Sequence, residues 1–472
     1  MNVLKIVDFE DRSYYREMVR IGLPVIIQNV IFNSLTVIDN IMIGGMGDTA
    51  ISAVGIANKL SFVFILFMFG VNSGASVFSA QFWGKGDVAA VRKVLGISLR
   101  ICLLAAVPFL LVSQFLPRQM MTFFIADERV VAQGAIFLRI IGWSYLLQSI
   151  SAAYAIQSRG VGRTRPAMYA SVAALLLNTV LNYGLIYGRF GLPAMGVAGS
   201  ATATLVARVV ELAILLGIIY GNKYELAASF REMGGVSKDF LRRFLKPVFP
   251  VIANEILWAI GVSMYTFFYG MQGVMATTTA QIMEVMHGLF FSLFFGLGSA
   301  CGVMVGNRIG AGDEATARVY AKRSVIIGTV MGLVMGVALA AAAPLFLRLF
   351  NVGPEVVRAC RLAAYVFAGT MFIRVINLIM VVGVCRNGGD TVFAALIDVL
   401  APWCVGIPMA ALGVMVLHWP IYLVMALVSL EEVVKAVFGI WRLITGKWLH
   451  NLVHDMHGNE DPPDTKAATA ET

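Results

Sequence analysis

The chain has 472 residues, 59% hydrophobic and 13% charged, with a net charge of +9 and a mean hydropathy of +0.81. Soluble domains carry about 25% charged residues, so this composition excludes a water-soluble globular protein and makes lipid the main solvent. The surplus positive charge is scattered over short loops, as at Arg159, Arg163 and Arg165, which membrane orientation explains better than a nucleic-acid partner, so no such partner is expected.

Crossing a bilayer takes about 20 apolar residues in a helix, and such runs predict six spans over 17–43, 54–81, 94–116, 134–157, 168–188 and 197–220. After the polar stretch 221–246, six more are predicted over 248–271, 280–306, 324–347, 361–384, 392–413 and 420–441. The expected fold class is therefore an all-α polytopic membrane protein with twelve transmembrane helices. Met1 to Arg20 is charged and amphipathic rather than a short apolar run, so the first span is expected to anchor itself without a cleaved signal. An internal N-terminus puts most of the 36 Lys and Arg on one side. That bias places both termini in the cytoplasm, for a protein expected in the plasma (inner) membrane. Cys102, Cys301, Cys360, Cys385 and Cys404 show no paired spacing, so they are neither a disulfide framework nor a zinc set.

The two sets of spans repeat one another. Gly84, Gly86, Asp87 and Arg92 recur at one constant interval as Gly310, Gly312, Asp313 and Arg318, as do Pro24 and Pro250, Phe69 and Phe295, Gly70 and Gly296, and Ser73 and Ser299. Arg159, Gly162 and Thr164 match Arg386, Gly389 and Thr391 after a slip of one residue. An even number of spans per repeat gives both halves the same orientation, related by a pseudo-twofold axis along the membrane normal. The expected organisation is a six-helix bundle over 1–220, a cytoplasmic linker over 221–246 that lets the bundles rock, a second bundle over 247–441 and a cytoplasmic tail over 442–472. The substrate path is expected between the bundles. Pro24, Pro247, Pro250, Pro402 and Pro408 lie in spans, where each removes a helix hydrogen bond and allows bending.

A charge at the centre of a span costs about 2.5 to 3.5 kcal/mol on insertion scales, so each one asks for a reason. Asp39 stands in the otherwise apolar first span, and its repeat position in the second half is the neutral Tyr265. A carboxylate there can take a proton or a sodium ion, or else close a buried ion pair or cap the helix. Asn178 and Asn182, four apart on the fifth span, share one helical face. They can offer carbonyl oxygens to a cation or bond neighbouring helices, and Thr202 on the sixth span can add a hydroxyl. Glu255 is the corresponding acid of the second half, with Tyr265, Glu284, Asn377 and Asp398 as secondary candidates. Arg139, Arg208, Arg374 and Lys435 are the cations within spans. Glu431 and Lys435 have the spacing of a structural ion pair. Glu284 and His287 are three apart, but no second Glu-x-x-His completes a metal site, and no metal is expected. His450, His454 and His457 read as a solvated tail. The 24 Met and 30 Phe supply soft packing, and in part an adaptable surface for organic cations.

In order and spacing, several segments together resemble the multidrug and toxic compound extrusion (MATE) transporters. They are Pro24 with Asp39 and Gly44 to Gly47, Ala80-Gln81 with Gly84-Lys85-Gly86-Asp87, Asn254-Glu255-Ile256-Leu257-Trp258, Val305 to Asp313, and Arg386 to Thr391. The resemblance covers nearly the whole chain. It implies two six-helix bundles around a cavity open to one side, and export of amphipathic, often cationic, molecules driven by inward movement of protons or sodium. It also implies a coupling role for Asp39, which matches the first-span acid of the amino-terminal lobe. The fifth-span acid that accompanies it in the family is here Asn182. Glu255 matches the seventh-span acid that some members use, but their tenth-span aspartate falls at or near Val375, leaving Asn377 or Asp398 as substitutes.

The expected function is a secondary multidrug exporter working by H+ or Na+ antiport through alternating access, as a monomer and without a cofactor. The alternative is a flippase for lipids or lipid-linked oligosaccharides of related architecture, whose cavity would need cations such as Arg208 and Arg374 to meet phosphates. An enzyme would need a catalytic set facing a cavity, and a channel a filter or charged ring; the sequence offers neither.

Overall fold

Lipid cannot satisfy a peptide group, so a chain of this composition has to close its backbone hydrogen bonds within helices. A computed structural model describes residues 11–348, 350, 352–454 and 456, and no strand occurs among them. The first half comprises α1 (Arg12–Gly44), α2 (Asp48–Lys85), α3 (Val88–Phe115), a short α4 (Pro117–Thr122), α5 (Glu128–Ile141), α6 (Ser144–Gly160), α7 (Arg165–Tyr187) and α8 (Val197–Gly221). The second comprises α9 (Lys238–Met271), α10 (Val274–Gly310), α11 (Glu314–Leu347), α12 (Pro354–Leu378), α13 (Thr391–Ala401), α14 (Ile407–Ala411), α15 (Ile421–Val428) and α16 (Leu430–Thr445). Large apolar side chains such as Leu104, Phe115, Val337, Leu345 and Ile444 point outward, as a lipid-facing surface requires.

Ten helical stretches are each long and apolar enough to span a membrane. The predicted fourth span is the pair α5 and α6, bent by 47°, and the predicted twelfth is α15 and α16, which meet at Ser429. Counting the bent pair as one, eleven spans among the described residues are long and apolar enough, and α15 with α16 fills the place of the twelfth. At the α5–α6 bend a side chain on Gly142 would collide with Ser113 of α3, so the break lets α3 approach. Prolines act as predicted in the eleventh span. Around Pro402 and after Pro408 the backbone widens into π-helical turns over Pro402–Gly406 and Leu412–Val416, which absorb lost hydrogen bonds without ending the helix. A third π-helical stretch, Ile379–Arg386, prolongs α12 and carries Arg386 to the seam between the halves.

The repeat is visible in the packing. Tyr14, Met18 and Ile21 at the start of α1 join the apolar core of the second half, while Phe240, Phe244 and Val248 at the start of α9 join that of the first. Each half thus lends its leading turns to the other. Phe69 of α2 and Phe295 of α10, repeat counterparts, meet edge to face at 6.5 Å. Near them a Cβ on Gly70 would lie 2.9 Å from Ile252, and one on Gly296 would lie 2.3 Å from Ile26. At one end the approach is closer still: a Cβ on Gly84 would fall 1.9 Å from the Asn307 carbonyl oxygen, and one on Gly310 1.8 Å from that of Gln81. Small residues let membrane helices touch backbone to backbone, and these glycines shut the two halves together there. Just beyond, Gly86 and Gly312 end α2 and α10 with φ of +82° and +78°, a left-handed turn that favours glycine. Asp87 and Asp313 then cap α3 and α11 by accepting from Ala90 and Thr316 backbone N–H.

The predicted linker differs from expectation. Its last residues already belong to α9, which starts at Lys238, and the remainder is docked on the first half. Leu226, Ala228 and Met233 are buried, Arg92 and Arg100 donate to the Glu225 and Met233 carbonyl oxygens, and Arg163 pairs with Glu225 at 2.9 Å. Burial raises the pKa of Glu225, but the Arg163 guanidinium outweighs it and holds the carboxyl below its ordinary value.

The described part of the tail also packs. Trp448 is fully buried, His450 N–H donates to the Gly388 carbonyl at 2.7 Å, and Asn451 donates to the Ile309 carbonyl. From the first half, Gln81 donates to the His450 carbonyl and accepts from Leu452 N–H. Lys85 donates to the carbonyls of Val453, His454 and Met456. Residues 448–454 therefore lie across both halves at their closed end. His457 falls outside the described residues.

Candidate functional site

The polar side chains inside the spans form two lattices, one per half, built on the same framework. The repeat register pairs Gln28 with Asn254, Asn29 with Glu255, Asp39 with Tyr265, Arg159 with Arg386, Ser171 with Asp398, Thr204 with Glu431 and Arg208 with Lys435. The positions are shared and the charges are not.

In the first half, Asn182 of α7 donates to the Asp39 carboxylate at 2.5 Å and to the Asn178 carbonyl oxygen at 2.9 Å. Asn178 donates in turn to the Thr204 hydroxyl on α8 at 3.3 Å. The structure thus brings together Asp39, Asn178 and Asn182 as their sequence positions suggested. Thr202 does not join them, because its hydroxyl bonds back to the Ala198 carbonyl of its own helix. Thr204, two residues on and therefore on another face, takes its place. The Oδ1 of Asn182 is buried with no hydrogen-bond partner. Asp39 lines a cavity of about 290 Å³ with Asn58, Ser61, Tyr145, Thr204 and Arg208. Among the described residues, no basic side chain forms an ion pair with Asp39.

A second cavity of about 200 Å³ lies alongside and shares Thr204 and Arg208 with the first. Its polar wall is a chain of contacts: Arg159 donates to Gln28 at 2.6 Å, Gln28 to Ser171 at 3.2 Å, Ser171 to Glu211 at 3.0 Å, and Arg208 to Glu211 at 2.7 Å. Glu211 went unnoticed in the sequence reading. The available signal was its place within the sixth span, three residues after Arg208 and so on the same helical face.

In the second half Glu255, Asp398, Glu431 and Glu432 are all engaged. Glu255 pairs with Arg386 at 3.0 Å, and Arg386 also donates to Ser73 of α2 at 2.9 Å. Asp398 pairs with Lys435 at 3.2 Å and accepts from Asn254. Glu432 pairs with Arg374 at 3.0 Å and accepts from Asn377. Glu431 accepts from the Tyr265 hydroxyl. Lys435 has thus reached across to Asp398 instead of pairing with Glu431 on its own helix. Asn377, Asp398 and Tyr265 are drawn into this lattice, but as partners of Glu432, Lys435 and Glu431, and Glu255 is neutralised by a basic neighbour. Glu284 is exposed and stands apart. His287 stacks on Phe291 at 4.9 Å. No group of three or more His, Cys, Asp or Glu among the described residues could hold a metal, and Cys102, Cys301, Cys360 and Cys385 are buried free thiols.

Comparison with known proteins gives one answer. A multidrug resistance protein NorM of Thermotoga maritima, designated probable, is 23% identical over 436 residues, covering 92% of this chain and 93% of its own. A multidrug resistance protein MdtK of Photorhabdus laumondii is 28% identical over 418 residues, covering 83% and 86%. The fold superposes on that of an outward-facing multidrug resistance MATE family transporter with a TM-score of 0.82 at 17% identity, over 91% of this chain and 96% of that one. A Pyrococcus furiosus transporter of the MOP superfamily matches similarly, with a TM-score of 0.81 at 17% identity over 92% and 97%. The MatE family profile matches twice, over residues 24–184 and 250–412, once for each repeat. The chain belongs to the MatE family.

Proposed function

We propose that the chain is a secondary exporter of amphipathic, often cationic, organic molecules in the plasma membrane, driven by a proton or sodium ion that binds at Asp39. The observation that carries this reading is the state of Asp39: a carboxylate inside the membrane, held by Asn182, beside the unpartnered Asn182 Oδ1, with no basic side chain among the described residues in an ion pair with it. An intramembrane acid of this kind is costly unless it has an ion to exchange, and the set of carboxylate, amide and hydroxyl oxygens suits either a proton or a hard cation. The names of the NorM and MdtK relatives support multidrug cargo. The flippase reading gains nothing from Arg208 and Arg374, since each is already paired with a glutamate. Closure at the end that carries residues 448–454, which the charge bias assigns to the cytoplasm, supports an outward-facing state of the alternating-access cycle, with the bundles 1–220 and 247–441 as its moving parts.

Uptake of a fluorescent organic cation into inverted vesicles under an imposed proton or sodium gradient tests this assignment. Asp39→Asn is expected to abolish gradient-driven uptake while the protein still reaches the membrane. Uptake at the parent rate by Asp39→Asn would exclude Asp39 as the coupling site.

A further inference from the structure

The internal repeat exposes a gap in the first half. In the second half Arg386 has a built-in counter-ion, Glu255, at 3.0 Å. The equivalent arginine of the first half is Arg159, and the position equivalent to Glu255 is the neutral Asn29. Arg159 makes one hydrogen bond among the described residues, to the Gln28 amide oxygen; its Nε is buried with no partner, as is that of Arg386, so the halves differ in the missing carboxylate rather than in this atom. The Nδ2 of Asn29 is likewise buried without a partner. Both residues line the cavity of about 200 Å³. The nearest acid of that wall, Glu211, is already held by Arg208 and Ser171. Among the described residues no carboxylate pairs with Arg159. Arg159 is half-buried, and a guanidinium drawn out of water without a counter-ion is costly, as is the unmet Asn29 donor beside it.

We propose that Arg159 and Asn29 form a binding site for the carboxylate group of a small organic anion, which occupies the place that the Glu255 side chain fills in the other half. Guanidinium and amide N–H groups match the planar, two-oxygen acceptor of a carboxylate. The cavity lies below the roughly 300 Å³ lower end of drug-sized pockets, so the group that enters is small. The site is separate from coupling at Asp39: it binds at equilibrium and needs no gradient, so its failure leaves the Asp39 assignment untouched.

Calorimetric titration of the purified full-length chain with benzoate, in chloride-free methanesulfonate buffer, tests the proposal. The parent is expected to bind benzoate saturably, and benzylamine, which lacks the carboxylate, is not. Arg159→Gln should weaken benzoate binding by more than tenfold. Asn29→Glu, which recreates the ion pair of the second half, should abolish it while raising the melting temperature. The second variant keeps the test intact if Arg159→Gln does not fold. Absence of saturable benzoate binding to the parent, or binding by Asn29→Glu as tight as the parent's, overturns the proposal. Displacement of benzoate by chloride at equal concentration would show a halide site instead and overturn the carboxylate assignment.

Discussion

Glu255 and Arg386 lie 3.0 Å apart at the seam between the halves, and both are almost entirely buried. Because Arg386 also reaches Ser73 on the opposite half, the pair ties α9, the end of α12 and α2 into one contact. Removing one partner of a buried pair leaves an uncompensated charge and costs about 3 to 5 kcal/mol. Glu255→Gln is therefore expected to lower thermal stability sharply in detergent, and Glu255→Gln with Arg386→Met to recover part of the loss. A melting temperature unchanged in Glu255→Gln, together with lost transport, would return Glu255 to the coupling machinery.

The two threonines of α8 separate by face. Thr204→Val removes the acceptor that holds Asn178, at about 1 kcal/mol, so ion-dependent transport should shift to roughly fivefold higher ion concentration. Thr202→Val removes only a bond to its own helix and should transport like the parent. Dose–response curves of uptake against proton or sodium concentration distinguish the two.

At the closed end, Gly84→Ala and Gly310→Ala each drive a methyl group into a carbonyl of the other half. Overpacking of this kind costs about 1 to 3 kcal/mol, and here it penalises the closed seam specifically. Hydrogen exchange of the His450 and Leu452 amides, which bond the tail to the second half and to the first at this seam, should accelerate in each variant and further in the double variant. Unchanged exchange would mean that the contact relaxes without opening.

Outside the membrane, Asp11 accepts from Ser13 and pairs with Arg323. The Ser13 hydrogen bond, with Arg323, holds its pKa down at about 2, from the ordinary 3.8. A depressed carboxyl stabilises the fold above its unfolded pKa and loses that contribution as pH falls through its folded one. The difference in melting temperature between the parent and Asp11→Asn should thus be constant above about pH 4 and shrink towards pH 2. A difference that disappears near pH 6 would point to another group.

What the sequence made legible follows from locality. The repeat was readable because Gly84 and Gly310, Asp87 and Asp313, or Phe69 and Phe295 serve backbone and packing needs that both halves share. Asp39 with Asn178 and Asn182 was readable because a charge in an apolar run and a four-residue amide spacing are both local signals. The partner of each charge was not: Glu255 finds Arg386, and Lys435 finds Asp398, across helices far apart in the chain. Thr202 and Thr204 differ only in which face of α8 meets α7, and tertiary packing decides that. The linker looked like a loose tether because polar composition does not disclose that Leu226, Ala228 and Met233 have apolar ground to settle on.

Residues 448–454 join the two halves. Gln81 and Lys85 grip this ribbon from one half, while Gly388 and Ile309 grip it from the other. Any movement that parts the halves at this end has to strip the ribbon from one side first, so this short segment works as a bolt across the seam.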